Sequence, residues 1–213
     1  MNKWVVAVLV VVLLVVIYIS GSRMLRQEVA LSQDQAVTFA NEELRYTYPG
    51  AYVDIYGVEN ISASDAESYW KIQAKVIYGR NSICPNLTLV ELRYPRFGFV
   101  PRERLITDSC RVLGCRNIPN CIIAYPEEAI LMPLDPDRNP GLQPDLSRYV
   151  DSAGSDNIQA SSGYFENYVS NSSTTYKDVW VTRYTAPALP NSFETILNRT
   201  GGNALEHYIL PKT

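Results

Sequence analysis

Trp4 to Ile19 reads WVVAVLVVVLLVVIYI, with no charge, glycine or proline. No other stretch restricts the chain as much. Ser20, Gly21 and Ser22 extend the tolerable span to about 19 residues, which as a helix rising about 1.5 Å per residue crosses a hydrocarbon core. Backbone polar groups in lipid must bond internally, so helix is the expected form despite the β preference of valine. Trp4 and Tyr18 stand near the ends, where aromatic belts form. The run therefore predicts a transmembrane signal-anchor over residues 1–22 and a stalk over 23–31. Lys3 on one side nearly balances Arg23 and Arg26 on the other, so charge alone does not orient it. A cleaved signal peptide with Ser20-Gly21-Ser22 as its site is the rival reading. No cysteine follows the run, which excludes a bacterial lipoprotein.

The four cysteines are clustered at Cys84, Cys110, Cys115 and Cys121. An even set behind an export signal predicts two disulfides. Three pairings are open. Cys84–Cys110 with Cys115–Cys121 is preferred, the first tying an antiparallel hairpin and the second closing a short loop. A zinc site needs closely spaced pairs, which the gap from Cys84 to Cys110 does not supply. Asn60, Asn86, Asn171 and Asn198 each begin an Asn-x-Ser/Thr sequon and are glycosylation candidates, with polar turns as the alternative. Cysteines and sequons together place the C-terminal domain outside the cytoplasm in this reading.

Behind the anchor, composition fits one medium domain or two small ones. A net charge of −3 argues against nucleic acid as partner. With 15 tyrosines and 1 histidine, the chain favours β-rich surfaces over His-based catalysis.

Ser32 and Gln35 form a capping box, and Ala36, Val37, Ala40, Leu44 and Tyr48 give one apolar face at helical spacing up to Pro49-Gly50. Strands are expected at Tyr52 to Val58 and at Tyr69 to Tyr78, where Trp70, Ile72, Ala74, Val76 and Tyr78 alternate with Lys71, Gln73 and Lys75. Leu87 to Tyr94 is another, in which Leu87 and Leu89 are out of phase with Val90, Leu92 and Tyr94; a β-bulge near Leu89 would account for the switch. Phe99 to Cys110 returns. A first unit thus covers 32–124. A second, over 125–213, resembles it: Pro126 opens a helix, and Glu166-Asn167 stands before Tyr176 as Glu59-Asn60 stands before Tyr69. The second strand there is Tyr176 to Tyr184, and residues 133–145 read as an insertion. The two alternatives are a divergent internal repeat and a single α+β domain with shared Tyr-rich composition.

The helix-then-meander order, the SQDQAV start at Ser32 and the preceding apolar run resemble PepSY-type, cystatin-like membrane-anchored extracytoplasmic modules. The resemblance covers Ser32 to about Tyr78 and, less fully, Tyr125 to Tyr184; the cysteines depart from it. It implies an α+β fold of one helix on a curved antiparallel sheet, and binding or regulation rather than catalysis.

Catalytic patterns are poorly supported. Ser68-Tyr69-Trp70-Lys71 matches Ser-x-x-Lys but opens a strand and lacks the partner motifs. His207 has no nucleophile motif beside it. Asp135, Asp137 and Asn139 have calcium-loop spacing, yet Pro140 follows and Leu146 stands where a bidentate Glu belongs. Neither a metal nor a cofactor is expected. The interaction candidates are Arg93, Arg96, Phe97, Phe99, Arg102 and Arg104, because exposed aromatic and arginine side chains favour contacts. The expectation is a non-enzymatic, membrane-anchored extracytoplasmic domain binding a protein or glycan of the cell envelope. A structural subunit of a surface or membrane assembly is the alternative, and a hydrolase with an unfamiliar site the last.

Overall fold

A computed structural model describes residues 31–63, 66–95, 99–115 and 118–212. The expected capping box opens helix α1 (Gln33–Thr47): the Gln35 amide donates to Ser32 Oγ at 3.2 Å, and the Ser32 amide to Gln35 Oε1 at 3.0 Å. Four strands follow: β1 (Tyr52–Ala63), β2 (Ala66–Tyr78), β3 (Asn86–Tyr94) and β4 (Arg102–Leu105), paired antiparallel in sequence order. A small ladder, β5 (Thr107–Asp108) with β6 (Arg111–Val112), leads to the second half. That half comprises α2 (Pro126–Leu131), α3 (Gln143–Ala153) and the strands β7 (Gln159–Val169), β8 (Thr175–Thr185), β9 (Asn191–Asn198) and β10 (Ala204–Pro211), again an antiparallel meander.

The fold is therefore α+β, with three short α-helices and three antiparallel sheets among the described residues. This corrects the expected transmembrane architecture. A span requires about 20 apolar residues in helix, whereas α1, at 15 residues, buries only Ala36, Ala40 and Leu44. No helix among the described residues is long and apolar enough to cross a membrane. The anchor expected over 1–22 lies outside the described residues. With no such helix to support them, single-pass attachment, the membrane as partner and the extracytoplasmic placement are withdrawn.

α1 covers one face of the first sheet. Ala36, Ala40 and Leu44 pack on Ile72, Ala74, Val76, Val90, Leu92 and Tyr94. The Tyr94 hydroxyl donates to Glu43 of the helix. Pairing of β2 with β3 runs unbroken from Trp70–Tyr94 to Tyr78–Asn86, so the expected bulge near Leu89 is absent. The phase switch has another cause. Leu87 and Leu89 face away from α1 and form a separate cluster with Ile77 and Ile106, backed by Tyr125. A strand buried on both faces loses its alternation. The register shifts lie in β1 instead, between Ile55 and Gly57 and between Ile61 and Ala63.

The second sheet is covered by α2, α3 and the turns between them. Tyr149, Leu146 and Leu142 pack on Tyr184, Phe193 and Ala160. The Tyr184 hydroxyl donates to the Ile130 carbonyl at 2.6 Å, and Thr182 Oγ1 to the Ala129 carbonyl at 3.2 Å. The two halves share one detail beyond their order of elements. Trp70 on β2 donates its indole N–H to the Leu31 carbonyl at 2.7 Å, and Trp180 on β8 donates to the Ile123 carbonyl at 3.0 Å. In each case a second-strand tryptophan holds the chain just before its helix. The halves meet where the Ala160 amide donates to Asn81 and Ile122 bridges Thr200. Disulfides join Cys84 to Cys110 and Cys115 to Cys121.

Candidate functional site

On the face of the first sheet away from α1, cross-strand pairing sets Lys71 beside Arg93, Glu91 beside Arg102 and Leu89 beside Arg104. The Arg93 guanidinium lies 4.9 Å from the Tyr69 ring centroid and 4.3 Å from that of Phe99, with Arg102 5.7 Å from Phe99. Glu91 accepts from Arg93 Nε at 3.2 Å and Nη2 at 3.0 Å. Stacking and the carboxylate together fix the guanidinium plane. Of the expected interaction residues, Arg93, Phe99 and Arg102 are thus in contact, and Arg104 lies one row further along the same face. Arg96 and Phe97 lie outside the described residues. Glu103 turns the other way and accepts from the Tyr48 hydroxyl at 2.6 Å, tying β4 to the end of α1. Burial and this carboxylate push the Tyr48 phenol well above its ordinary pKa.

Elsewhere the sequence candidates have structural partners. His207 Nε2 lies 3.2 Å from Asp145 on α3, and its ring stacks on Phe193 at 5.7 Å. The loop with calcium-like spacing is occupied by its own bonds. Buried Asn139 donates to the Met132 and Gly202 carbonyls and accepts from the Ala204 amide at 2.7 Å. Arg138 donates to the Gly201, Ile118 and Cys115 carbonyls. Among the described residues no group of three His, Cys, Asp or Glu side chains could hold a metal ion. Of the sequon asparagines, Asn60 and Asn171 are exposed, whereas Asn86 and Asn198 are half-buried.

Two carboxylate groupings were not legible beforehand. Glu127 and Glu128, at the start of α2, are both buried. Glu128 accepts from the Ala124 and Tyr125 amides at 2.8 and 3.0 Å. One Glu127 carboxyl oxygen has no hydrogen-bond partner among the described residues. Desolvation raises both pKa values, opposed for Glu127 by Lys75 and Arg80 and reinforced by Asp54. On the second sheet, Glu194 is buried yet accepts from Arg183 Nη2 at 2.6 Å and from the Tyr168 hydroxyl at 3.0 Å. Nearby Glu206 accepts from the Tyr176 hydroxyl at 3.2 Å. The abundance of tyrosine was the available signal for this second group, but spacing alone does not show which phenol meets which carboxylate.

Comparison with family models, curated proteins and solved structures finds no match. The expected kinship with PepSY-type, cystatin-like modules is accordingly withdrawn. It rested on a short helix start and a strand pattern that many α+β chains share, and what stands is the α+β fold itself. The expected extracytoplasmic binding function and the protein or glycan partner in a cell envelope lose their support along with that kinship and the anchor.

Proposed function

We propose that this chain is a non-catalytic module acting through surface contact, and that its contact surface is the arginine–aromatic strip of the first sheet. The observation that carries this reading is the Arg93 guanidinium held between Tyr69 and Phe99 and braced by Glu91. A cation already fixed in plane loses little rotamer freedom on meeting an acidic group. Arg102 and Arg104 are exposed beside it and add forked donors. The ligand chemistry that suits the strip is acidic. The non-catalytic part of the reading is supported by the lone histidine, engaged by Asp145 and Phe193, and by Thr195, its cross-strand neighbour, whose hydroxyl is sealed from solvent.

Titration of the isotope-labelled chain with polyglutamate tests the proposal. Amide shifts should concentrate at residues 69–71, 91–93 and 99–104 and should fade with added salt. Phe99→Ala with Arg102→Ala should weaken binding by about tenfold. Shifts centred elsewhere, or binding untouched by the double substitution, would refute it.

A further inference from the structure

The distal part of the β7–β8 hairpin does not continue the sheet. β9 ends at Asn198, which pairs with Val179, so Thr175 to Asp178 overhang its end. Yet the turn of the hairpin reaches β10 well inside the sheet. The Ser172 amide approaches Tyr208 Oη at 3.4 Å. The neighbouring hydroxyls of Tyr208, Ser172, Ser170 and Tyr176, Tyr208 foremost, hold the Glu206 carboxyl below the usual range, and Tyr176 donates to it at 3.2 Å. Tyr208 and Glu206 pair with Glu194 and Ile196, both inward of Asn198. A hairpin that overhangs the sheet and still touches these residues has folded back across its face.

The bend falls at Asp178, whose φ is +55°, a conformation most L residues avoid. Its carboxylate accepts from the Tyr164 hydroxyl at 2.7 Å and from Arg199 Nη1 at 3.2 Å, which fixes the pivot. Ile196 lies on the face opposite Thr195, whose partner Thr182 bonds to α2; it is therefore on the face away from the helices. Ile196 and Val179 are nevertheless fully buried. Among the described residues they stand apart from the apolar clusters that pack on the helices, and so does the folded-back segment. That segment is held by hydroxyl–carboxylate bonds, while Glu166, Asn167, Val169 and the turn from Asn171 onward are exposed.

We propose that residues 166–177 form a hinged arm that opens about Asp178 and uncovers Val179, Val181 and Ile196, a strip flanked by Glu206 and the Glu194–Arg183 ion pair. Opening breaks a few hydroxyl–carboxylate bonds and exposes one narrow apolar strip, which costs less than unpacking the cores between the sheet and its helices, so the arm opens without global unfolding.

Hydrogen exchange on the full chain tests this. Amides of 166–177 should exchange at least about tenfold faster than those of Val179–Thr182 and Phe193–Leu197. Glu206→Gln with Tyr208→Phe should speed arm exchange by about another tenfold and raise binding of the apolar dye anilinonaphthalene sulfonate, while the unfolding midpoint holds. Tyr176→Phe, a milder change, should act in the same direction. Arm amides that exchange only at the rate of global unfolding would overturn the proposal. So would substitutions that lower the midpoint in step with core exchange, or that leave arm exchange unchanged.

Discussion

Glu127 shows how one side chain sets a pH dependence. Its carboxyl is buried with one oxygen unpartnered among the described residues, and desolvation raises its pKa. The folded chain then holds a proton that the unfolded chain has already released at the same pH. Stability should fall as pH rises from the ordinary carboxylate pKa through the raised one, and the penalty is complete above it. Glu127→Gln keeps the shape and removes the charge. It should raise stability at neutral pH by about 1 kcal/mol and flatten the acid side of a melting-temperature profile. Glu128→Ala should do the opposite, because Glu128 accepts from the Ala124 and Tyr125 amides at the head of α2; a loss of about 1 kcal/mol in urea denaturation is expected. The sequence carries neither distinction. Two adjacent glutamates after a proline read as ordinary first-turn acids, and only the neighbouring sheet decides which one is satisfied.

Elements were legible where one face met one neighbour. α1 is such a case, with its capping box and Ala36, Ala40, Leu44 stripe, and so is β2, with Ile72, Ala74 and Val76 turned inward. β3 misled because two different neighbours bury its two faces. β9 was not anticipated: Ser192 to Leu197 is buried throughout, so it has no alternation to read. β7 was missed for the reverse reason, since most of its side chains are exposed or half-buried. The first turn of α3 overlaps the proline-rich stretch 133–145, whose composition reads as an insertion. At this scale the tryptophan clamps make a paired prediction. Trp180 is buried and donates to Ile123, so Trp180→Phe should cost roughly 2 kcal/mol through the lost bond and the space left behind. Trp70→Phe, at a half-buried site, should cost about 1 kcal/mol. Thermal unfolding of the two variants measures the difference.

For the whole molecule, Cys84–Cys110 ties the β2–β3 turn to the β5–β6 turn, and Cys115–Cys121 lies in the segment that joins the two helix-and-meander halves. Cys84–Cys110 closes a sequence separation of 26 and Cys115–Cys121 one of 6. Constraint of the unfolded chain makes the first worth about 3 kcal/mol and the second about 2 kcal/mol. Cys115 and Cys121 are also buried against Trp180 and Met132, so their loss disturbs a core as well. Urea midpoints of single Cys→Ser pairs should rank accordingly, with the Cys115–Cys121 pair losing more than loop length alone implies. The interaction candidates came partly within reach of the sequence because Phe99 and Arg102 follow Arg93 closely along a returning hairpin. The carboxylate–phenol group did not, since Glu194, Glu206, Tyr168 and Tyr176 come from four different strands.

β4 has a further effect through its position at the margin of the first sheet. All four of its side chains are exposed, and Arg102, Glu103 and Arg104 put charge at consecutive positions. A strand from another molecule laid against it would need countercharges in matching register. At this margin the chain is built to resist polymer growth, and crowding should not seed fibres from it.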